Sequence, residues 1–84
     1  MHTIKIRIDT PQKVLALTSV LSGCDANCEV KKDGKAVNAK SIVAIFSLNL
    51  ATPVDLVIHS DDVSVFSFVY QALVQNGLLV EGVR

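Results

Sequence analysis

The stretch Lys31-Lys32-Asp33-Gly34-Lys35-Ala36-Val37-Asn38-Ala39-Lys40-Ser41-Ile42-Val43-Ala44-Ile45-Phe46-Ser47-Leu48 holds a turn, a strand and a helix start in one short run. Asp-Gly between strand-like segments is a strong hairpin signal, because glycine accepts positive φ without steric cost. The spacing predicts strands over Asn27–Lys32 and Lys35–Asn38, joined by that turn. Ser41 suits a helix N-cap, since its side-chain oxygen can accept from a backbone N–H that the first helical turn leaves unpaired. A short helix of about two turns follows.

Downstream, Asn49–Pro53 reads as a loop and Asp55–Ser60 as a strand, with Leu56 and Ile58 toward the core and Val57 and His59 outward. Asp61 or Asp62 can cap the last helix, where a negative charge also suits the helix dipole. Phe66, Val69 and Leu73, flanked by Val65, Ala72 and Val74, form its expected buried face, and Asn76-Gly77 ends it. Val65, Phe66, Phe68, Val69 and Tyr70 are crowded together, so part of this helix is expected to expose an apolar patch and to self-associate or meet a partner.

Upstream, Ile4, Ile6 and Ile8 alternate with Thr3, Lys5 and Arg7, the pattern of a half-buried strand. Thr10 then caps a helix that opens on Pro11, whose missing N–H costs nothing in the first turn. Val14, Leu17 and Leu21 recur at helical spacing, with Leu15 and Ala16 broadening the stripe, and Gly23 is the expected stop. The order β-α-β-β-α-β-α implies an α+β open-faced sandwich: a four-stranded antiparallel sheet with helices on one face.

At 84 residues the chain is read as one domain, 1–84, and half its residues are hydrophobic, enough for one core. Eight basic and eight acidic side chains cancel, which argues against a nucleic-acid partner. No apolar run approaches a membrane span, and Met1-His2-Thr3-Ile4-Lys5-Ile6 lacks the layout of a signal peptide, so the cytoplasm is expected. Cys24 and Cys28 do not have the Cys-x-x-Cys spacing and no second Cys/His pair is near them. They read as small, partly buried residues kept reduced, and no metal is expected. No cofactor is implied either.

Asp33-Gly34-Lys35-Ala36-Val37-Asn38-Ala39-Lys40-Ser41-Ile42, with Ser47-Leu48, resembles the regulatory-serine segment of the HPr phosphocarrier family, and most of all its branch active in carbon catabolite repression. The resemblance implies the HPr-like fold, whose element order is the one read above. HPr phosphocarriers take a phosphoryl group on a histidine in a Gly-x-His-Ala-Arg-Pro motif at the start of the first helix. The chemistry needs an imidazole nucleophile where helix N-terminal amides can hold phosphate. Aligned without gaps, that motif falls on Ile8-Asp9-Thr10-Pro11-Gln12-Lys13, with Thr10 at the degenerate phosphohistidine position. Arg7 lies before it, on the strand. A threonine hydroxyl without a neighbouring base is a poor acceptor. His2 and His59 lie on strands and read as surface or cross-strand residues.

The second family site maps onto Ser41 through Asn38-Ala39-Lys40-Ser41-Ile42. The resemblance implies phosphorylation there by an HPr kinase/phosphorylase, placing about −1.5 to −2 charge beside an apolar patch. The implied partner-docking residues are Lys40, Ile42, Val43 and Phe46, with Lys35 at the rim, and the implied partner is a transcriptional regulator or an enzyme. Read from the residues alone, Ser41 is a plain helix cap. Where family members carry a glycine and methionines after the serine, this chain has Ala44, Ile45 and Phe46. With no triad, paired carboxylates, phosphate loop or metal cluster, the chain reads as no enzyme. It reads as a regulatory binding protein or, alternatively, as a drifted structural or assembly module that is never phosphorylated; a homodimer suits either.

Overall fold

The Asp33-Gly34 hairpin forms with both turn residues at positive φ, 51° and 81°. That is the turn whose twist matches the flanking strands, and the second position suits glycine because a Cβ is strained there. The computed structural model describes residues 1–80; residues 81–84, the end of the expected 1–84 domain, lie outside the described residues. The elements run β1 (His2–Ile6), α1 (Pro11–Ser22), β2 (Asn27–Lys32), β3 (Lys35–Asn38), α2 (Ile42–Phe46), β4 (Val54–His59) and α3 (Val63–Gln75). This is the expected β-α-β-β-α-β-α order.

The four strands form one sheet in the order β1-β4-β2-β3, antiparallel throughout. β4 is therefore inserted between β1 and β2, with Thr3 opposite Val57 on one side and Glu29 opposite Val57 on the other. Ile4, Ile6, Val30, Leu56 and Ile58 point to one face and pack with Val14, Leu17 and Leu21 of α1, Ile45 of α2, and Val69 and Leu73 of α3. Helices cover that face. The other face carries charged side chains, among them the Lys5–Asp55 pair at 2.9 Å. No helix among the described residues is long and apolar enough to cross a membrane.

Val57 faces outward as expected and lies outside the core cluster, yet it is only 3% exposed. It sits on the open face of a central strand, where flanking strands screen it. Leu15 and Val74, expected to broaden buried stripes, are half exposed, because each helix meets its neighbours along a narrower line than its apolar residues allow. Gly23 does end α1, but at φ −89°, so the stop does not use glycine's left-handed freedom. α2 spans five residues, shorter than the expected two turns.

Past α3 the expected stop at Asn76-Gly77 forms, and it places Leu78 and Leu79 where no sequence pattern put them. Gly77 takes φ 68°. The Leu78 N–H donates to the Leu73 carbonyl at 2.9 Å and the Gly77 N–H to the Val74 carbonyl at 3.1 Å, the paired bonds of a Schellman cap. This reversal buries Leu78 completely and lays Leu79 against Ile6 in an antiparallel bridge, with the Arg7 N–H donating to the Leu78 carbonyl at 2.8 Å.

Candidate functional site: two helix starts

Two hydroxyl residues open helices on the helical side of the molecule. At α2, the Ser41 Oγ accepts from the Ala44 N–H at 3.3 Å, and the Ser41 carbonyl accepts from the Ile45 N–H at 3.0 Å. Asn38 prepares this start: its Oδ1 accepts from the Lys40 N–H at 2.9 Å, and its carbonyl from the Ser41 N–H at 3.1 Å. The sequence folds this way because asparagine and serine side chains offer the backbone local partners where a strand must stop and a helix begin. Ala39, fully buried, donates its N–H to the Cys28 carbonyl at 2.9 Å and fixes the segment to β2.

Ile45 is the one fully buried residue of α2 and holds it down. Ile42, Val43 and Phe46 stay in contact with solvent, Val43 at 83% exposure. Three large apolar side chains are thus exposed on a helix whose start is a half-buried serine. Lys40 is exposed as well, but its Nζ donates to the Cys24 carbonyl, and the residue lines a depression with Asn27, Cys28, Glu29, Asn38 and His59. Lys35 begins β3 beside the hairpin turn, opposite Lys32.

At α1, the Thr10 Oγ1 accepts from the Lys13 N–H at 3.2 Å, and Pro11 takes the first helical position as expected. The sequence reading missed Asp9. Its carboxylate lies 3.3 Å from the Lys13 ammonium and 3.9 Å from an Arg7 guanidinium nitrogen. The i,i+4 spacing of Asp9 and Lys13 was the available signal. Both nearby cations are thereby engaged by a carboxylate of the chain itself. Neither histidine is at this helix start. The His2 ring packs on Phe66 with centroids 4.5 Å apart, and its Nε2 is buried without a hydrogen-bond partner. His59, at the end of β4, has its Nε2 2.7 Å from a Glu29 carboxylate oxygen.

At α3, Asp62 is the cap, its carboxylate accepting from the Ser64 N–H at 2.9 Å and from the Ser64 hydroxyl at 2.7 Å. These hydrogen bonds, the hydroxyl's first, hold its carboxyl below the usual aspartate range. Asp61 pairs instead with the N-terminal ammonium. α3 leaves Val63, Phe68, Tyr70 and Val74 exposed.

No family model matches the chain, and no curated protein matches it. Among solved structures, it is similar to the crystal structure of HPr-C-His from Thermoanaerobacter tengcongensis. The TM-score is 0.72 and the identity 24%, over 90% of this chain and 94% of that one. At that identity the likeness establishes the fold: the chain has the HPr-like α+β architecture.

Proposed function

We propose that this chain is a non-catalytic HPr-like regulatory protein, unable to carry phosphohistidine, that acts by docking to another protein and is controlled by phosphorylation of Ser41. The observation that carries the reading is the setting of α2. A serine begins a short helix whose Ile42, Val43 and Phe46 are in solvent while Ile45 alone anchors it. Apolar side chains exposed in a cluster are costly in water and are retained where a partner covers them. Transfer of a phosphoryl group from ATP to the Ser41 Oγ would replace a neutral cap with about −1.5 to −2 charge beside those side chains, changing which partner they accept. Lys40 and Lys35 stand as the basic members of the same reading. The partner is a transcriptional regulator or an enzyme of carbon metabolism, the modifying enzyme an HPr kinase/phosphorylase, and the compartment the cytoplasm.

At α1 the reading is supported by what stands where a phosphocarrier needs imidazole. Thr10 uses its hydroxyl oxygen as a cap, and Asp9 engages Arg7 and Lys13. A second reading, a structural or assembly module without phosphorylation, is favoured by the exposed Val63, Phe68, Tyr70 and Val74 of α3, a surface that suits a second copy of the chain.

The test is incubation with an HPr kinase/phosphorylase and ATP, in parallel with phosphoenolpyruvate and the first enzyme of the phosphotransferase system, read by intact mass. One phosphoryl group from the kinase alone, lost in Ser41→Ala, is the expected result. A phosphoryl group gained by the phosphoenolpyruvate route would overturn the non-carrier reading. Modification by neither leaves the assembly module, for which self-association would be measured next.

A further inference from the structure

Asn76-Gly77 ends α3, but it also brings a reactive pair to the surface. An asparagine followed by glycine loses its side-chain amide readily, because glycine has no side chain to shield its own backbone nitrogen from the neighbouring Cγ. The other asparagines of the chain, Asn27, Asn38 and Asn49, precede Cys28, Ala39 and Leu50, each of which has a Cβ beside that nitrogen. Asn76 and Gly77 are both exposed, and a Cβ placed on Gly77 would meet nothing within 4 Å, so water reaches the pair.

The fold keeps the two reacting groups occupied. The Asn76 Nδ2 donates to the Ala72 carbonyl at 2.8 Å, which turns the amide back along the helix. The Gly77 N–H donates to the Val74 carbonyl at 3.1 Å. Both bonds belong to the reversal beyond them, in which Gly77 has φ 68°, Leu78 is buried and Leu79 bridges Ile6. The Gly77 nitrogen can turn on the Asn76 Cγ only when this cap opens.

We propose that Asn76 is a self-modification site, deamidating by attack of the Gly77 backbone nitrogen each time the cap at the end of α3 opens. The Gly77 nitrogen gives up its proton to hydroxide and forms a bond to the Asn76 Cγ. The Cγ–Nδ2 bond then breaks, and the amide nitrogen takes up a proton and leaves as ammonia. Water adds to either carbonyl of the resulting succinimide and breaks its bond to the ring nitrogen, which is reprotonated. The product is aspartate or isoaspartate; water is consumed, ammonia is released, and nothing is oxidised.

Either product replaces the Nδ2 donor with a carboxylate against the Ala72 carbonyl, so an acceptor faces an acceptor. It also puts negative charge at the negative end of the helix dipole. Isoaspartate further inserts a methylene into the main chain, and the bonds from Gly77 and Leu78 to Val74 and Leu73 lose their register. The modification thus loosens the reversal that lays Leu79 on Ile6 and uncovers that end of the β1 edge. The chain carries a chemical clock whose rate is set by a local opening. The site does not rest on Ser41 being modified.

The experiment is incubation of the folded protein at mildly alkaline pH beside the same chain held unfolded in urea, followed by intact mass and peptide mapping. In the folded chain the amide-to-acid mass increase should map to Asn76 before Asn27, Asn38 or Asn49, as mixed aspartate and isoaspartate. It should run about ten- to a hundredfold slower than in urea, because the cap must open first. Leu78→Ala, which loosens the reversal, should bring the folded rate toward the urea rate. In the modified protein the Arg7 amide, which donates to the Leu78 carbonyl, should exchange its hydrogen faster. Another asparagine modified before Asn76, a folded rate equal to that in urea, or an intact Asn76 after about a hundred lifetimes of the urea control would each overturn the proposal. The wild-type comparison stands even if Leu78→Ala fails to fold.

Discussion

The starts of α1 and α2 use the same chemistry and have opposite surroundings. Each is a hydroxyl cap with nearly the same geometry, 3.2 Å at Thr10 and 3.3 Å at Ser41. At Thr10 the chain supplies its own counter-ions, Asp9 with Lys13 and Arg7, and the helix behind it is twelve residues long and packed on the core. At Ser41 no ion pair flanks the cap among the described residues, the helix is five residues long, and most of its large side chains face water. A capping hydroxyl alone does not make a site. What surrounds it decides whether the position is closed within the fold or offered to another molecule.

The comparison breaks first at Ile45. If this residue alone holds α2 to the core, Ile45→Ala should cost about 2–5 kcal/mol, while Val43→Ala, on the exposed side, should change stability by less than about 0.5 kcal/mol. Urea unfolding of the two variants measures this. Equal losses would mean that Val43 also packs.

Next in size is the neighbourhood behind Lys40. The Cys28 thiol lies at about 11, above its ordinary value of 9.0, so the folded state favours the protonated form. Its contribution is present below pH 9 and is lost as pH rises toward 11, a fall of about 2–3 kcal/mol at most. Urea unfolding at pH 8 and pH 10.5 should show a smaller fall for Cys28→Val than for the wild-type chain, each measured against its own value at pH 8. Lys40→Met should move the thiol's titration higher still, read by thiolate absorbance.

The caps themselves come third. Thr10→Ala should cost about 1 kcal/mol, within the usual range for losing an N-cap. Ser41→Ala should cost about 0.5 kcal/mol, because fewer helical residues depend on it. A Ser41→Ala cost exceeding that of Thr10→Ala would show the α2 start to be the more deeply integrated of the two. Smallest is Asp9→Asn, whose partially exposed ion pairs should contribute under about 1 kcal/mol and fade in high salt. A salt-independent loss would mean that Asp9 acts by another route.

The sequence made the architecture legible wherever periodicity and turn chemistry agreed. Ile4 and Ile6 alternated as a strand must, with Ile8 buried beyond the strand's end at Ile6, Asp33-Gly34 demanded its turn, and Val14, Leu17 and Leu21 fell on one helical face. It was less informative wherever neighbours decided. Periodicity put Leu17 on the core face but did not say how wide the contact would be; the packing of α1 leaves Leu15, at the edge of that stripe, exposed. Leu78 and Leu79 follow a helix stop with no period to read, and only the reversal at Gly77 brings them to the edge of β1. At the two helix starts the caps were readable from residue type, while the engagement of Asp9 and the direction taken by Lys40 depended on side-chain placement.

The position of β4 has a consequence for how the chain assembles in time. β1 is made first, yet its partners are Ile58 to Val54 of β4 and, at Ile6, Leu79. Both are synthesised long after it. As the chain emerges, only the β2–β3 hairpin can close by a short loop, and the first strand must wait until residues 54–59 slide between it and β2. Pairing strands across such separations is slow compared with hairpin formation. Hydrogen exchange during refolding should therefore protect the β2–β3 amides before those of β1. The sheet is completed from its middle, by the last strand to arrive.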